Sequence, residues 1–254
     1  MEHCLLIVAA GKSSRFDGFP KAFVKIGTCT NVENTIKNAS QLFDKVFLGV
    51  NRETYEAYKD NILDCEMFCI ETGNGDAHSL LKCMKYVRTK VPNITRLAVC
   101  WGDAFFINGQ PFAEIANVMD SMQENVPVIA ACSVDSRPYA WFETEGKVIK
   151  RSHFASCDGQ VEKELHDQSL FLLNIDLGIR YLECYKDILQ IPDGYAPDLN
   201  KEMKLLYSFD FLYESEMFHP AEYTVITAGN VHSFNTKNEL QSIIKNMDSI
   251  RGGN

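Results

Sequence analysis

Apolar residues in this chain fall into short unbroken runs, separated by stretches in which they recur at helical spacing. Leu5–Ala10 is the first run, and Lys45–Val50, Arg96–Trp101 and Val126–Cys132 repeat the pattern, while Cys65–Ile70, with Glu66 inside it, reads simply as a further strand. Runs of this length without polar alternation predict strands buried on both faces. Between them, Asn31–Phe43 carries Val32, Ile36, Ala39, Leu42 and Phe43 at helical intervals. Glu53–Ile62, the stretch from Leu80 towards Val87, and Ile115–Met122 read the same way. Strand and helix alternate over short links, so the expected class is α/β, Rossmann-like, with a mostly parallel, doubly wound sheet. The alternation breaks at Arg137–Ile149. There Thr144-Glu145-Gly146 divides two strand patterns and predicts a small antiparallel β-hairpin over the functional face. Beyond it come an apolar strand ending at Asn174, helices over Arg180–Leu189 and Leu205–Tyr213, a late strand Tyr223–Ile226 and a terminal helix.

Composition narrows the class. The 254 residues suffice for a sizeable core, and 46% hydrophobic with 23% charged is ordinary for a globular chain. No apolar stretch reaches the roughly 18 residues of a membrane span. The chain runs straight into a strand with no leader pattern, so the expected location is cytoplasmic. A net charge of −9 argues against a nucleic-acid binder, which needs a basic face. Small anionic ligands stay open, because local cations can override the global sign. The nine cysteines are scattered, odd in number and without a C-x-x-C pair, which reads as reduced thiols.

The first strand gives way at Gly11 to small polar and basic residues: Lys12, Ser13, Ser14, Arg15, then Pro20 and Lys21. Such a turn leaves backbone N–H groups unpaired at the carboxyl end of a strand, where open α/β sheets place their ligands. Three cations beside those groups point to polyphosphate. The Walker and dinucleotide glycine patterns are both absent. What is present is A-A-G-x-x-x-R followed closely by P-K. This resembles the signature loop of the nucleotidyltransferases that join an NTP to a phosphorylated sugar or alcohol and release pyrophosphate. Those enzymes usually carry a second glycine where Ser13 stands here.

Later motifs follow in the order of that family, which includes the uridylyltransferase domain of N-acetylglucosamine-1-phosphate uridylyltransferases and small cytidylyltransferases. Gly73-Asn74-Gly75-Asp76 resembles the glycine-bearing segment that lies against the nucleobase, although alone it also reads as a simple turn. Gly102-Asp103 ends the fourth strand, as does the G-D whose aspartate holds Mg²⁺. By itself Asp103 reads equally as a cap of the next turn. Pro138-Tyr139-Ala140 resembles the acceptor-pocket P-Y-G strand, with alanine for glycine. In the acceptor stretch Asp167 takes the place of an asparagine that touches sugar, Ser169 replaces a glycine, and Asn174 closes the segment. Val231–Leu240 resembles V-N/D-T-P-E-D-L, with Asn235 as the second metal ligand and Thr236 and Glu239 as a capping box.

The resemblance implies attack of an acceptor phosphate oxygen on the α-phosphorus of an NTP. It implies Ala9, Ala10, Gly11, Lys12 and Ser13 around the phosphates, and Gly73, Gly75 and Asp76 around the base. Arg15 and Lys21 become catalytic cations, and Asp103 and Asn235 hold Mg²⁺. Tyr139, Asp167 and Asn174 serve the acceptor. It divides a single domain, 1–254, into a nucleotide-binding core (1–132), an acceptor region (133–230) and a metal motif with C-terminal helix (231–254). The expected partners are an NTP, CTP before UTP, and a phosphorylated alcohol, phosphonate or sugar, with the protein a monomer or homodimer. A molybdopterin-guanylyltransferase-like enzyme and a non-catalytic nucleotide sensor are the alternatives. A glycosyltransferase would normally show an Asp-x-Asp triplet, which this chain lacks.

Overall fold

The computed structural model describes residues 2–11, 13, 16–62, 64–136, 138–191, 194–195, 201–234 and 236–251. Nine strands form the central sheet: β1 (Cys4–Ala9), β2 (Lys45–Val50), β3 (Glu66–Cys69), β4 (Arg96–Trp101), β5 (Val128–Ser136), β6 (Ala140–Glu145), β7 (Val148–Phe154), β8 (Lys163–Asn174) and β9 (Glu222–Val225). Their spatial order is β3-β2-β1-β4-β8-β5-β9-β7-β6. β1 pairs in parallel with β2 and β4, β2 with β3, and β5 with β9. Only β7 and β8 run against the rest, as the antiparallel partners of β9 and β6, and of β4 and β5. The chain is therefore α/β with a mostly parallel sheet, as the alternation of runs predicts. The expected hairpin, β6–β7, forms one edge of this same sheet.

Helices, the first three being α1 (Asn31–Ala39), α2 (Arg52–Tyr58) and α3 (Asp76–Lys90), cover both faces because successive strand residues point to opposite sides. Cys4, Leu6 and Val8 of β1 pack with Leu80, Met84 and Val87 of α3 and with Tyr181 of the Ile175–Leu189 helix. Leu5 and Ile7 face Val32 and Ile36 of the Asn31–Ala39 helix and Phe112 and Ile115 of the Gln110–Met119 helix. All of these side chains are buried. Strand β5 starts two residues later than the apolar run suggests, since Pro127 has no N–H to give a ladder. Its carbonyl still accepts Asn174 N at 3.0 Å.

Two shorter features bear on function. Ala104–Phe106 pairs antiparallel with Val231–Ser233, and Phe234 N donates to the Asp103 carbonyl at 3.3 Å. A third apolar cluster of Phe16, Ile26, Phe105, Phe234 and Ile243 then ties the signature loop to the Lys237–Arg251 helix. The Asp17–Lys237 pair, at 2.6 Å, closes the same junction.

Candidate active site

A cavity of about 440 Å³ opens at the carboxyl ends of β1 and β4. Its wall includes Ala9, Ala10, Gly11, Ser13 and Lys21 from the first loop, Gly73, Gly75 and Asp76 from the loop before α3, and Asp103 after β4. Motifs up to 94 positions apart in sequence thus share one space, between Ala9 and Asp103. Lys12, Arg15 and Asn235, also expected here, lie outside the described residues. A second hollow, of about 410 Å³ and largely apolar, lies between Phe16, Phe19, Val24 and Leu240. Besides the Asp17–Lys237 pair and Gln241, its lining among the described residues is apolar, and it belongs to the packing of the third cluster.

Each element of the cavity has a local cause. Gly102 N donates to Val8 O at 2.9 Å, drawing the end of β4 against β1. A Cβ at Gly102 would stand 2.7 Å from that of Ala9 and 3.2 Å from that of Ala22, so only glycine permits this approach. Pro20, at φ −67°, leads into the single turn Lys21–Phe23. Lys21 Nζ thereby reaches Asp103 Oδ2 at 2.6 Å, with the two side chains 17% and 31% exposed. Ser13, at φ +48°, adopts the left-handed backbone that the usual glycine takes without strain, and its Oγ accepts Lys21 N at 3.3 Å. Ser169 does likewise, at φ +54° within a bulge of β8, and its Oγ lies 2.9 Å from that of Ser233. Both serines in glycine places keep the glycine backbone and add a hydroxyl contact.

Asp103 is held by a residue the motif search did not single out. Asn31, 1% exposed, donates from Nδ2 to the carbonyls of Gly102 (2.9 Å) and Ala104 (3.0 Å), gripping the chain on both sides of Asp103. Asn34 and Asn38 extend the row, both donating to Phe106 O, at 2.7 and 3.0 Å. Their spacing of three and four along one helix was visible in the sequence, but it also reads as a polar face.

At the other end of the cavity, Gly75 has φ +105°, and a Cβ there would collide with the Met203 backbone. Residues 201–205 form a strap across this loop. Met203 N donates to Asn74 O (2.9 Å), Ala77 N to Met203 O (3.0 Å) and Leu205 N to Asp76 Oδ1 (2.7 Å). Glu202 enters the cavity wall from this strap. No local pattern marked Glu202, because the strap is fixed only by this long-range pairing. Crowding by protein raises the Asp76 carboxyl to about 7, against the lowering effect of the Leu205 N–H. The side chain nevertheless keeps surface open to the cleft. His78 Nδ1 accepts Asn74 N at 3.2 Å, and so acts as a loop support.

The acceptor residues separate. Asp167 accepts Ser169 N at 3.0 Å; burial raises its pKa, and so, less strongly, does the nearby Asp103 carboxylate. Tyr139 is 60% exposed, packs edge-on against Phe154 and does not line the cavity. Asn174 requires a correction. It pairs in register with Arg96, at the amino end of β4, whereas the cavity opens at the carboxyl end of that strand. There it caps the following helix, accepting Leu177 N at 3.1 Å and donating to Glu124 O at 2.9 Å.

These features can be compared with known proteins. Residues 5–173 match the sequence profile of the MobA-like NTP transferase domain. The chain belongs to that family. It is a nucleotidyltransferase. Among solved structures, the transferase is similar to the inositol-1-phosphate CTP transferase of T. maritima (TM-score 0.69, 13% identity, 99% of this chain and 97% of that one). It is also similar to a UDP-glucose pyrophosphorylase complexed with UDP-glucose (TM-score 0.69, 14% identity, 98% and 99%). A third is a putative glucose-1-phosphate thymidylyltransferase from Bacillus anthracis (TM-score 0.66, 12% identity, 96% and 94%). At these identities the likeness is one of fold. No curated protein sequence matches the chain.

Asp103 suits a Mg²⁺ ion bound together with nucleotide. Mg²⁺ takes one or two carboxylates plus substrate phosphates, and this carboxylate faces the cavity beside a cation. Among the described residues no group of three or more His, Cys, Asp or Glu side chains gathers as an all-protein cage. No helix among them is long and apolar enough to cross a membrane.

Proposed function

We propose that this transferase moves a nucleotidyl group from an NTP, CTP before UTP, to a phosphorylated small acceptor and releases pyrophosphate. The acceptor class is an alcohol phosphate, phosphonate or sugar phosphate. The observation that carries this reading is the single cavity joining the first loop, the Gly73–Asp76 turn and the Lys21–Asp103 pair. A phosphate monoester oxygen is already nucleophilic, so the chain need supply only position and charge. The acceptor oxygen forms a new bond to the α-phosphorus while the bond from that phosphorus to the β-phosphate bridging oxygen breaks. The electron pair leaves with pyrophosphate.

Lys21 sits where a cation would neutralise the α-phosphate and acceptor phosphate as charge develops. Gly11, Ala10 and Ser13 line the triphosphate end, with Lys12 and Arg15 proposed as further phosphate cations. Asp103, with Asn235, would hold Mg²⁺, which when bound offsets charge on the reacting phosphates. Asp167, an acidic group within electrostatic reach of Asp103, suits a cationic or hydroxyl-rich acceptor. The proposed setting is the cytoplasm, as a monomer or homodimer without nucleic-acid partners; the free thiols among the described cysteines fit a reducing compartment. The test is a grid of four NTPs against phosphocholine, phosphoethanolamine, aminoethylphosphonate, inositol phosphate and hexose 1-phosphates, read by pyrophosphate release. Turnover with a CTP pair is expected. Nucleotide binding without turnover on any acceptor would favour a sensor instead.

A further inference from the structure

The cavity wall carries charges of both signs. Lys21 marks the phosphate end, whereas Asp76 and Glu202 line the end framed by Gly73 and Gly75. Asp76 starts α3 and is anchored through Oδ1 by Leu205 N. Glu202 is carried by the strap whose backbone bonds to Asn74 and Ala77 fix its path. Lys201 O, one residue earlier, accepts Asn74 Nδ2 at 3.0 Å and secures the strap's start. Gly75 is required where strap and loop touch, so the loop that carries Asp76 and the strap that carries Glu202 are held together by close backbone packing.

An ionised carboxylate can only accept hydrogen bonds, and Asp76 is in that form above about pH 7. A base that offers an N–H₂ group to this end gains charge-assisted hydrogen bonds. A base that offers a carbonyl oxygen at the same point sets two acceptors against each other. We propose that Asp76 and Glu202 are the base-selecting residues of this transferase, admitting nucleobases with an exocyclic amine and rejecting uracil and thymine. The inference rests on the nucleotidyl-transfer reading of the cavity and assigns to it a substrate class.

The experiment is isothermal titration of the full chain at about pH 8.5, where Asp76 is ionised, with CTP, ATP, GTP, UTP and dTTP in Mg²⁺, without acceptor. At least one amine-bearing nucleotide is expected to bind about 10-fold or more tightly than UTP and dTTP. Asp76→Asn keeps an oxygen for Leu205 N–H but turns a donor towards the base, and Glu202→Gln removes the second acceptor charge. Each is expected to reduce the preference about fivefold or more, with circular dichroism verifying the fold. UTP or dTTP binding as tightly as every amine-bearing nucleotide overturns the base assignment and leaves nucleotidyl transfer standing. A preference that both variants leave unchanged overturns the choice of residues. If no nucleotide binds, the transfer reading itself falls.

Discussion

Replacing Asn31 with alanine tests whether the row of amides positions Asp103. The substitution removes two hydrogen bonds, at 2.9 and 3.0 Å, from a side chain that is 1% exposed. Each such bond contributes about 1 kcal/mol net, and the carbonyls of Gly102 and Ala104 lose a buried donor in addition. One compensation exists: Asn31 Oδ1 is buried without a partner among the described residues, so the variant also removes an unsatisfied acceptor. The expected loss is about 2–3 kcal/mol, a fall in Tm of roughly 4–12 °C for a chain of this size. Freed on both sides, Asp103 would wander from Lys21, and misplacement of order 1 Å lowers kcat roughly 10- to 100-fold. Asn38→Ala is the control. It removes one bond to Phe106 O, further from Asp103, and should lower Tm while sparing kcat. Thermal melts and pyrophosphate release on both variants check the expectation. Equal kcat losses in the two variants, or a Tm for Asn31→Ala within about 1 °C of the parent, would refute the positioning role.

Other outcomes follow from the same geometry. Lys21→Ala or Asp103→Asn should lower turnover by orders of magnitude, while the far-UV dichroism stays native, because the pair is partly exposed and adds little to stability; near-parental pyrophosphate release from either variant excludes the mechanism. Gly102→Ala should reduce Tm and activity together, since the new methyl meets the fixed Cβ atoms of Ala9 and Ala22; the cost is about 1–3 kcal/mol by denaturant unfolding. Asp76 gives a pH signature. Its folded pKa, raised to about 7 by burial and by Glu202 against the pull of Lys204, exceeds that of the unfolded chain. Between about pH 4 and 7 the native state therefore holds the extra proton, and this group's contribution to stability falls as pH rises. Tyr181 and Tyr185, which also feel the Asp76 charge, stay neutral in this range because burial raises their own pKa values. Asp76→Asn should accordingly raise Tm relative to the parent more at pH 8 than at pH 4, and melts showing the reverse order contradict the assignment.

The sequence by itself determined the parts whose cause is local. Apolar runs became β1, β2 and β4, because a strand buried on both faces tolerates no polar alternation, whereas β3, at the sheet edge, buries only Phe68. The abrupt change at Gly11, and Gly102-Asp103 after β4, marked the carboxyl ends of strands, where sheet geometry leaves backbone groups for a ligand. Even the departures were legible as positions: Ser13 and Ser169 stand where glycine is usual, and the reason is their left-handed backbone. Asn174 misled because an asparagine beside a strand end serves a helix cap as readily as a ligand, and only the register with Arg96 shows which end of the sheet it occupies. The tertiary structure alone decided that β8 inserts antiparallel between β4 and β5, that Asn31 grips the Asp103 turn, and that the 201–205 strap brings Glu202 to the cavity. These pairings join groups distant in the chain, 71 residues apart for the Asn31 side chain and Gly102 O and 129 for Leu205 N and the Asp76 carboxylate. Periodicity specifies which face of an element is buried; which distant carbonyl an amide finds is fixed only when the sheet order brings them together.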